Sequence, residues 1–308
     1  MKHLIINSPA FKQVLQEFAD WLLILNYSTS MVEAYPNCIN EMLHFLEKKG
    51  INKVEKIKPK HLQEFITVFK SRPNKNGGKL SAAYINYMIK AINKFSAYLS
   101  VTKQGNIQIE LNRETEIQKE RDIITIPEIK ALFNSINDNY PLGERDKAIL
   151  AILYGAGLRK HELETLNIED ISFTNQTIHV KHGKGNKERL IPVTKFILNI
   201  INKYIIGCRS THIQIAAKTS SALFIDIHGN RMNEYAYYSI IENMIKKSEI
   251  STLQKKHISL HTFRHSIATH FMLEGMDIYL VSKFLGHNSL NSTMIYTHLV
   301  EQLKYESI

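Results

Sequence analysis

Apolar positions in the first third of the chain recur at helical spacing. Phe11, Val14, Leu15, Phe18, Trp21, Leu22 and Leu25 form one stripe, and Tyr35, Ile39, Met42, Leu43 and Leu46 form a second. A third helix is predicted from Pro59 to Lys70, where Leu62, Phe65, Ile66 and Phe69 share a face and the proline sits in the first turn. The basic stretch Arg72-Pro-Asn-Lys-Asn-Gly-Gly-Lys79 breaks the pattern as a turn. A fourth helix follows, with Tyr84, Ile85, Met88, Ile89, Ile92, Phe95 and Leu99 facing inward. Four helices with short connections predict a small bundle-like domain over residues 1–105. Periodicity then lapses into polar sequence, and residues 106–121 read as a linker.

A second module, residues 122–308, opens at Thr125-Ile-Pro-Glu128, a capping box with proline just inside the helix start. Helical patterns run through Ile136, over 144–154 and over 159–166. Between Ile168 and Val193 the period changes to two. Ile168 to Phe173, Ile178 to Lys181 and Arg189 to Val193 alternate, with turns at Thr174-Asn-Gln and Gly183-Lys-Gly-Asn, which predicts a small antiparallel sheet. Beyond Pro192 the chain reads mainly helical to its end. The fold class expected is mainly α with a small antiparallel sheet in the C-terminal domain.

Charge sharpens the division. The 308 residues carry 39 Lys and Arg against 29 Asp and Glu, a formal net charge of +10. Residues 1–119 hold 17 of the basic and 10 of the acidic groups. Such an excess suits a polyanion, because neutralising phosphates releases counterions, although a basic surface also serves solubility alone. Cys38 and Cys208 lie far apart and outside any CxxC spacing, so neither a disulfide framework nor a zinc cluster is indicated. No stretch reads as a signal peptide or membrane span, which makes the cytoplasm the expected compartment.

The candidate chemistry lies in the second module. Arg159 follows the turn Gly155-Ala-Gly157 and opens an amphipathic helix, where Glu162 can hold it from one turn away. Lys184 sits at the tip of a glycine-flanked hairpin; Lys187 and Arg189 beside it read as phosphate contacts. His261 and Arg264 share a helix face. The i,i+4 pair His261 and His265 invites a metal reading, but no acidic residue joins it in an HExxH pattern. His265 and His270 read as packing or supporting groups. Gly286 is a helix stop after Leu285, and His287 follows it. Tyr296 is one of 14 tyrosines, and its local chemistry does not distinguish it. Guanidiniums can clamp phosphate oxygens, a phenolic oxygen can attack phosphorus, and the remaining ionisable groups can protonate a leaving oxygen.

The order Gly-Leu-Arg159-Lys-His-Glu162-Leu, Gly-Lys184-Gly-Asn-Lys-Glu-Arg189, Leu-His261-Thr-Phe-Arg264-His265, Leu-Gly-His287 and Ile-Tyr296-Thr-His298 resembles the tyrosine recombinase (phage integrase) family, in its Xer-like branch. The resemblance covers residue 125 to the end. The first module is similar to that family's helical core-binding domain only in length, position and charge. The resemblance implies a two-domain, C-shaped clamp around duplex DNA. Tyr296 matches the nucleophile that forms a 3′-phosphotyrosyl bond. Arg159 and Arg264 match the phosphate clamp, and Lys184 the lysine that protonates the departing 5′ oxygen. His261 matches the acid/base partner, His287 a second phosphate donor, and Glu162 a supporting carboxylate.

No metal and no nucleotide cofactor is implied. The partners implied are double-stranded DNA recombination sites and further protomers, a tetramer on two sites, with a second recombinase as an option. Leu299, Val300, Leu303 and Tyr305 are available for docking onto a neighbour. No added N-terminal arm-binding domain and no integron-type insertion is read, which points to chromosome dimer resolution, DNA inversion or a small mobile element. Two alternatives are a type IB topoisomerase, which relaxes DNA without choosing sites, and a non-catalytic DNA-binding protein.

Overall fold

The computed structural model describes residues 4–105, 111–115, 122–137, 139–140, 142–181, 188–287 and 293–294. The chain divides into two compact units, Met1–Lys119 and Glu120–Ile308.

The first unit is built from α1 (Pro9–Ile24), α2 (Thr29–Lys48), α3 (Pro59–Ser71) and α4 (Ala82–Val101). Ser8 and Ser81 start α1 and α4 by accepting from backbone N–H groups three residues on, which satisfies donors that have no intrahelical partner. The apolar stripes meet in one core containing Phe11, Phe18, Ile39, Leu43, Leu62 and Phe95. Residues 111–115 belong to this unit: Leu111 packs on its core, and Asn86 and Glu114 exchange two hydrogen bonds of 2.9 and 2.8 Å. In the basic turn Arg72 stacks on Phe69, 4.3 Å from the ring centroid, and pairs with Glu41. Asn74 closes the turn by accepting from the N–H of Asn76 and of Gly78.

The second unit opens with α5 (Ile126–Ser135), whose capping box is formed by Thr125 and Glu128. Glu128 also accepts from Lys256 Nζ at 2.9 and 2.7 Å and from Thr252 Oγ1 at 2.6 Å, so one acidic residue both starts a helix and ties down a distant segment. α6 (Gly143–Gly155) is buried on all sides from Ala148 to Leu153, which makes it the axis of this core. α7 (Lys160–Thr165) leads to β1 (Ile171–Ser172), β2 (Thr177–Val180) and β3 (Arg189–Pro192), an antiparallel sheet in that order. The alternation read from Ile168 begins as a 3-10 turn, Ile168–Asp170, because Asp170 accepts from the backbone N–H of Asn167 and closes a cap there.

α8 (Lys195–Tyr204) runs through a π-turn at Ile205–Arg209 into α9 (Ser210–Ala216). The buried Arg209 then donates to the carbonyls of Ser220, Ala222 and Leu223, fixing a non-helical return. α10 (Glu234–Ser248), α11 (Ser251–Gln254), α12 (Leu260–Leu273) and α13 (Ile278–Leu285) follow. Among the described residues no helix is long and apolar enough to cross a membrane. The architecture is the mostly helical one, with a small antiparallel sheet, that the pattern predicts.

Candidate active site

α6 ends in the turn Gly155-Ala-Gly157-Leu158. Gly157 has φ +56°, and a Cβ there would lie 3.2 Å from Ile267 and 3.3 Å from Leu285, so the turn needs glycine for conformation and for space. The turn delivers Arg159 to the start of α7, where Glu162 folds back as a cap: Glu162 Oε2 accepts from Arg159 N at 2.8 Å. Arg159 Nη1 donates to Glu162 Oε1 at 2.8 Å, and Nη2 donates to the carbonyl of Gly286 at 2.7 Å.

Arg264 is 3% exposed and reaches from α12 to the same place. Its Nη1 donates to Gly157 O at 2.5 Å and its Nη2 to Leu285 O at 2.6 Å. The meeting point is the C-terminal end of α13. Gly286 closes that helix in the left-handed conformation, φ 64° and ψ 51°, and His287 N donates back to Ser282 O at 3.0 Å. The last carbonyls of a helix have no intrahelical donor and carry the negative end of its dipole. Here guanidiniums supply the donors: Arg189 Nε to Phe284 O at 3.2 Å, Arg264 to Leu285 O and Arg159 to Gly286 O. Three arginines far apart in sequence are thus seated on three consecutive carbonyls.

The reading of Arg189 as a phosphate contact is corrected by this geometry. Its side chain is 11% exposed and forms a two-pronged pair with Glu162, Nη1 to Oε1 and Nη2 to Oε2, both at 2.8 Å. The strand pattern carries the signal: Arg189 and Ile191 alternate with the exposed Leu190 and Pro192, so Arg189 shares the face of the buried Ile191. Burial works to raise the pKa of Glu162, but the bonds and charge of Arg189, and then those of Arg159, hold it down to about 2.

His287 stands beside this cluster, its Nδ1 2.8 Å from the hydroxyl of the fully buried Thr293. Burial, then the charges of Arg264, Arg159 and Arg189, push its pKa down to about 4, so the imidazole is neutral near pH 7. His261 is exposed on α12, one turn before Arg264. Partial desolvation and the nearby charges of Arg264, Lys160 and Arg159 lower its pKa. His270 lies away from these groups in role: it is buried, and its Nδ1 is 2.9 Å from Tyr154 Oη. Thr293 was invisible to spacing arguments, since nothing local marks a threonine as the partner of a histidine six residues earlier. Lys184, Lys187 and Tyr296 lie outside the described residues.

Arg159, Arg264, Arg189 and His287 are therefore brought together, with His261 on the helix that carries Arg264. Two of the guanidiniums, Arg159 and Arg189, share the carboxylate of Glu162, and the histidine pKa values are lowered first by burial and then by the charges of the arginines. Arg159, with 21% of its side chain exposed, is the guanidinium most open to a ligand. Such a site favours an anion with several oxygens, and a phosphate diester fits it.

Residues 123–302 match the phage integrase family. Tyrosine recombinase XerC of Bacillus subtilis is 30% identical over 299 residues, covering 95% of this chain and 93% of that protein. Tyrosine recombinase XerC of Oceanobacillus iheyensis is 28% identical, covering 93% and 92% of the two chains. Among solved structures, XerH recombinase bound to a palindromic difH substrate in a post-cleavage complex superposes with TM-score 0.72 at 20% identity, covering 99% of this chain and 97% of its own. A lambda integrase dimer bound to a COC′ core site gives 0.61 at 13% identity, covering 92% and 94%. At those identities the likeness to the solved structures is one of fold. The family match across more than half of the chain, with a 30% identical relative along nearly all of it, establishes that the chain belongs to the phage integrase family as a Xer-like tyrosine recombinase, an enzyme of DNA strand transfer.

Proposed function

We propose that the protein recombines DNA at specific sites through a covalent tyrosine intermediate, with Arg159, Arg264 and His287 forming the receptor for the scissile phosphate. The observation that carries this reading is the seating of both arginines on adjacent carbonyls at the end of α13, immediately before His287. The phenolic oxygen of Tyr296 attacks phosphorus and the bond to the 5′ oxygen breaks. A 3′-phosphotyrosyl link and a 5′-hydroxyl result. Lys184 gives its proton to the departing 5′ oxygen, and His261 serves as acid/base partner. Arg159 and Arg264 stabilise the charge that grows on the non-bridging oxygens. Attack by a 5′-hydroxyl from another duplex reverses the step and joins the strands, so no external energy source is consumed.

The solved relatives bound to difH and to a core site support duplex DNA as the partner. A tetramer on two sites, with or without a second recombinase, is the assembly we propose, working in the cytoplasm at the nucleoid. Residues 299–308 would dock on a neighbouring protomer. The first domain (1–105) is assigned to DNA binding and the second (122–308) to catalysis.

Tyr296→Phe removes one oxygen from a large phosphate-contacting surface. It is expected to abolish covalent adducts on nicked suicide substrates while leaving single-site affinity within about 3-fold, a change of under about 1 kcal/mol. Adducts formed by the Phe variant would remove Tyr296 from the role of nucleophile. Exchange between two sites, rather than relaxation of a supercoiled circle, separates a recombinase from a topoisomerase.

A further inference from the structure

Arg159 and Arg189 bridge the same two supports. Each donates to Glu162 Oε1 at 2.8 Å, and each donates to a carbonyl at the end of α13, Arg159 to Gly286 and Arg189 to Phe284. They differ in how they use the carboxylate. Arg189 takes the full two-pronged pairing with both oxygens, whereas the side chain of Arg159 reaches only one of them. They also differ in exposure, 11% against 21%. A buried carboxylate beside a single guanidinium draws it into a two-pronged pair, because that geometry is the strongest available to both groups. Glu162 is 2% exposed at its side chain, so water does not compete.

We propose that Arg189 is a positioning residue for Arg159: by occupying both oxygens of Glu162 it keeps that carboxylate from capturing and neutralising Arg159. It also spans Glu162 and Phe284 O, which holds the seat for Arg159 and Arg264 in register. Gly286 is part of the same device. A Cβ there would lie 2.8 Å from Arg189 Cδ, so the glycine that ends α13 also makes room for this side chain. Without Arg189, Arg159 turns onto Glu162 and its share of the phosphate clamp is lost. This inference rests on the reading of Arg159 as a phosphate ligand.

The test is a set of variants in the full-length protein, read by adduct formation in single turnover and by single-site DNA affinity at several salt concentrations. Arg189→Met is expected to slow cleavage by about 100-fold, comparable to loss of one charge-stabilising donor. Because Arg159 then loses its phosphate contact, affinity should fall and the salt slope shrink by about one unit, and Glu162→Gln should restore both. The decisive comparison is Arg189→Met with Glu162→Gln. Removing the carboxylate's charge frees Arg159, so the double variant should cleave faster than Arg189→Met alone. Arg189→Lys keeps the charge without the fork and covers the case in which the methionine variant does not fold; it should cleave slowly and be rescued by Glu162→Gln in the same way. If Glu162→Gln restores nothing in either background, Arg189 has only a packing role and the proposal is wrong. A salt slope that stays about one unit low in the double variant Arg189→Met with Glu162→Gln would instead return Arg189 to a phosphate contact. Wild-type protein that forms no adduct would instead overturn the functional reading itself.

Discussion

At the scale of single residues, the site is governed by two groups held far from their ordinary protonation range. Glu162 is depressed to about 2 from 4.5, so its carboxylate contributes stability above the ordinary value, and this is lost as pH falls from 4.5 through 2. His287 is depressed to about 4 from 6.5 because its charged form is buried among guanidiniums. The unfolded chain therefore takes up a proton between 6.5 and 4 that the folded chain refuses. Stability from this group is complete above 6.5 and declines as pH falls through that window. His287→Asn is expected to flatten the pH dependence of Tm between 6.5 and 4.5 while leaving the steeper loss below 4.5 in place. An unchanged slope from 6.5 to 4.5 would show that His287 is not a buried neutral group.

At the scale of elements, the end of α13 is where helix geometry becomes chemistry. A helix end left bare would expose three unsatisfied carbonyls to a buried environment, at a cost of about 1–3 kcal/mol each. The fold resolves this with arginines from the start of α7, from β3 and from α12. Gly286→Ala tests how tightly the seat is built. The left-handed conformation costs an alanine about 1 kcal/mol, and the new methyl meets Arg189. The variant is expected to lose a few degrees of Tm and, through displacement of Arg189, to cleave suicide substrates more slowly than wild type. Cleavage at the wild-type rate despite a lowered Tm would separate the helix stop from the clamp.

At the scale of the whole molecule, the net charge of +10 predicts a steep electrostatic dependence. The logarithm of the binding constant should fall linearly with the logarithm of salt concentration, with a slope equivalent to several neutralised phosphates, about −0.9 for each. Residues 1–119, with 17 basic and 10 acidic groups, should retain weak DNA binding of their own. Filter or anisotropy titrations from low to moderate salt provide the check. A nearly flat slope for the full chain would be incompatible with a clamp around duplex DNA.

Local chemistry was enough to determine most elements of this protein. The four apolar stripes of the first unit, the capping box at Thr125 and Glu128, the glycine stop at Gly286 and the alternating β2 and β3 depend on neighbours a few residues away. The same is true of the Arg159–Glu162 pair, one helical turn apart. The order of short motifs also pointed to Arg159, Arg264 and His287 as a set. Tertiary structure alone decided how that set is held. Arg189 looked like a surface cation beside a hairpin, yet it lies inward because Glu162, 27 residues earlier, offers it two oxygens and Phe284, 95 residues later, a carbonyl. Thr293 is the partner of His287 through its hydroxyl, a pairing that no local pattern marks. Hydrogen bonds between such distant positions leave no period in a sequence, because their geometry is set by the packing of whole helices and strands rather than by spacing along the chain.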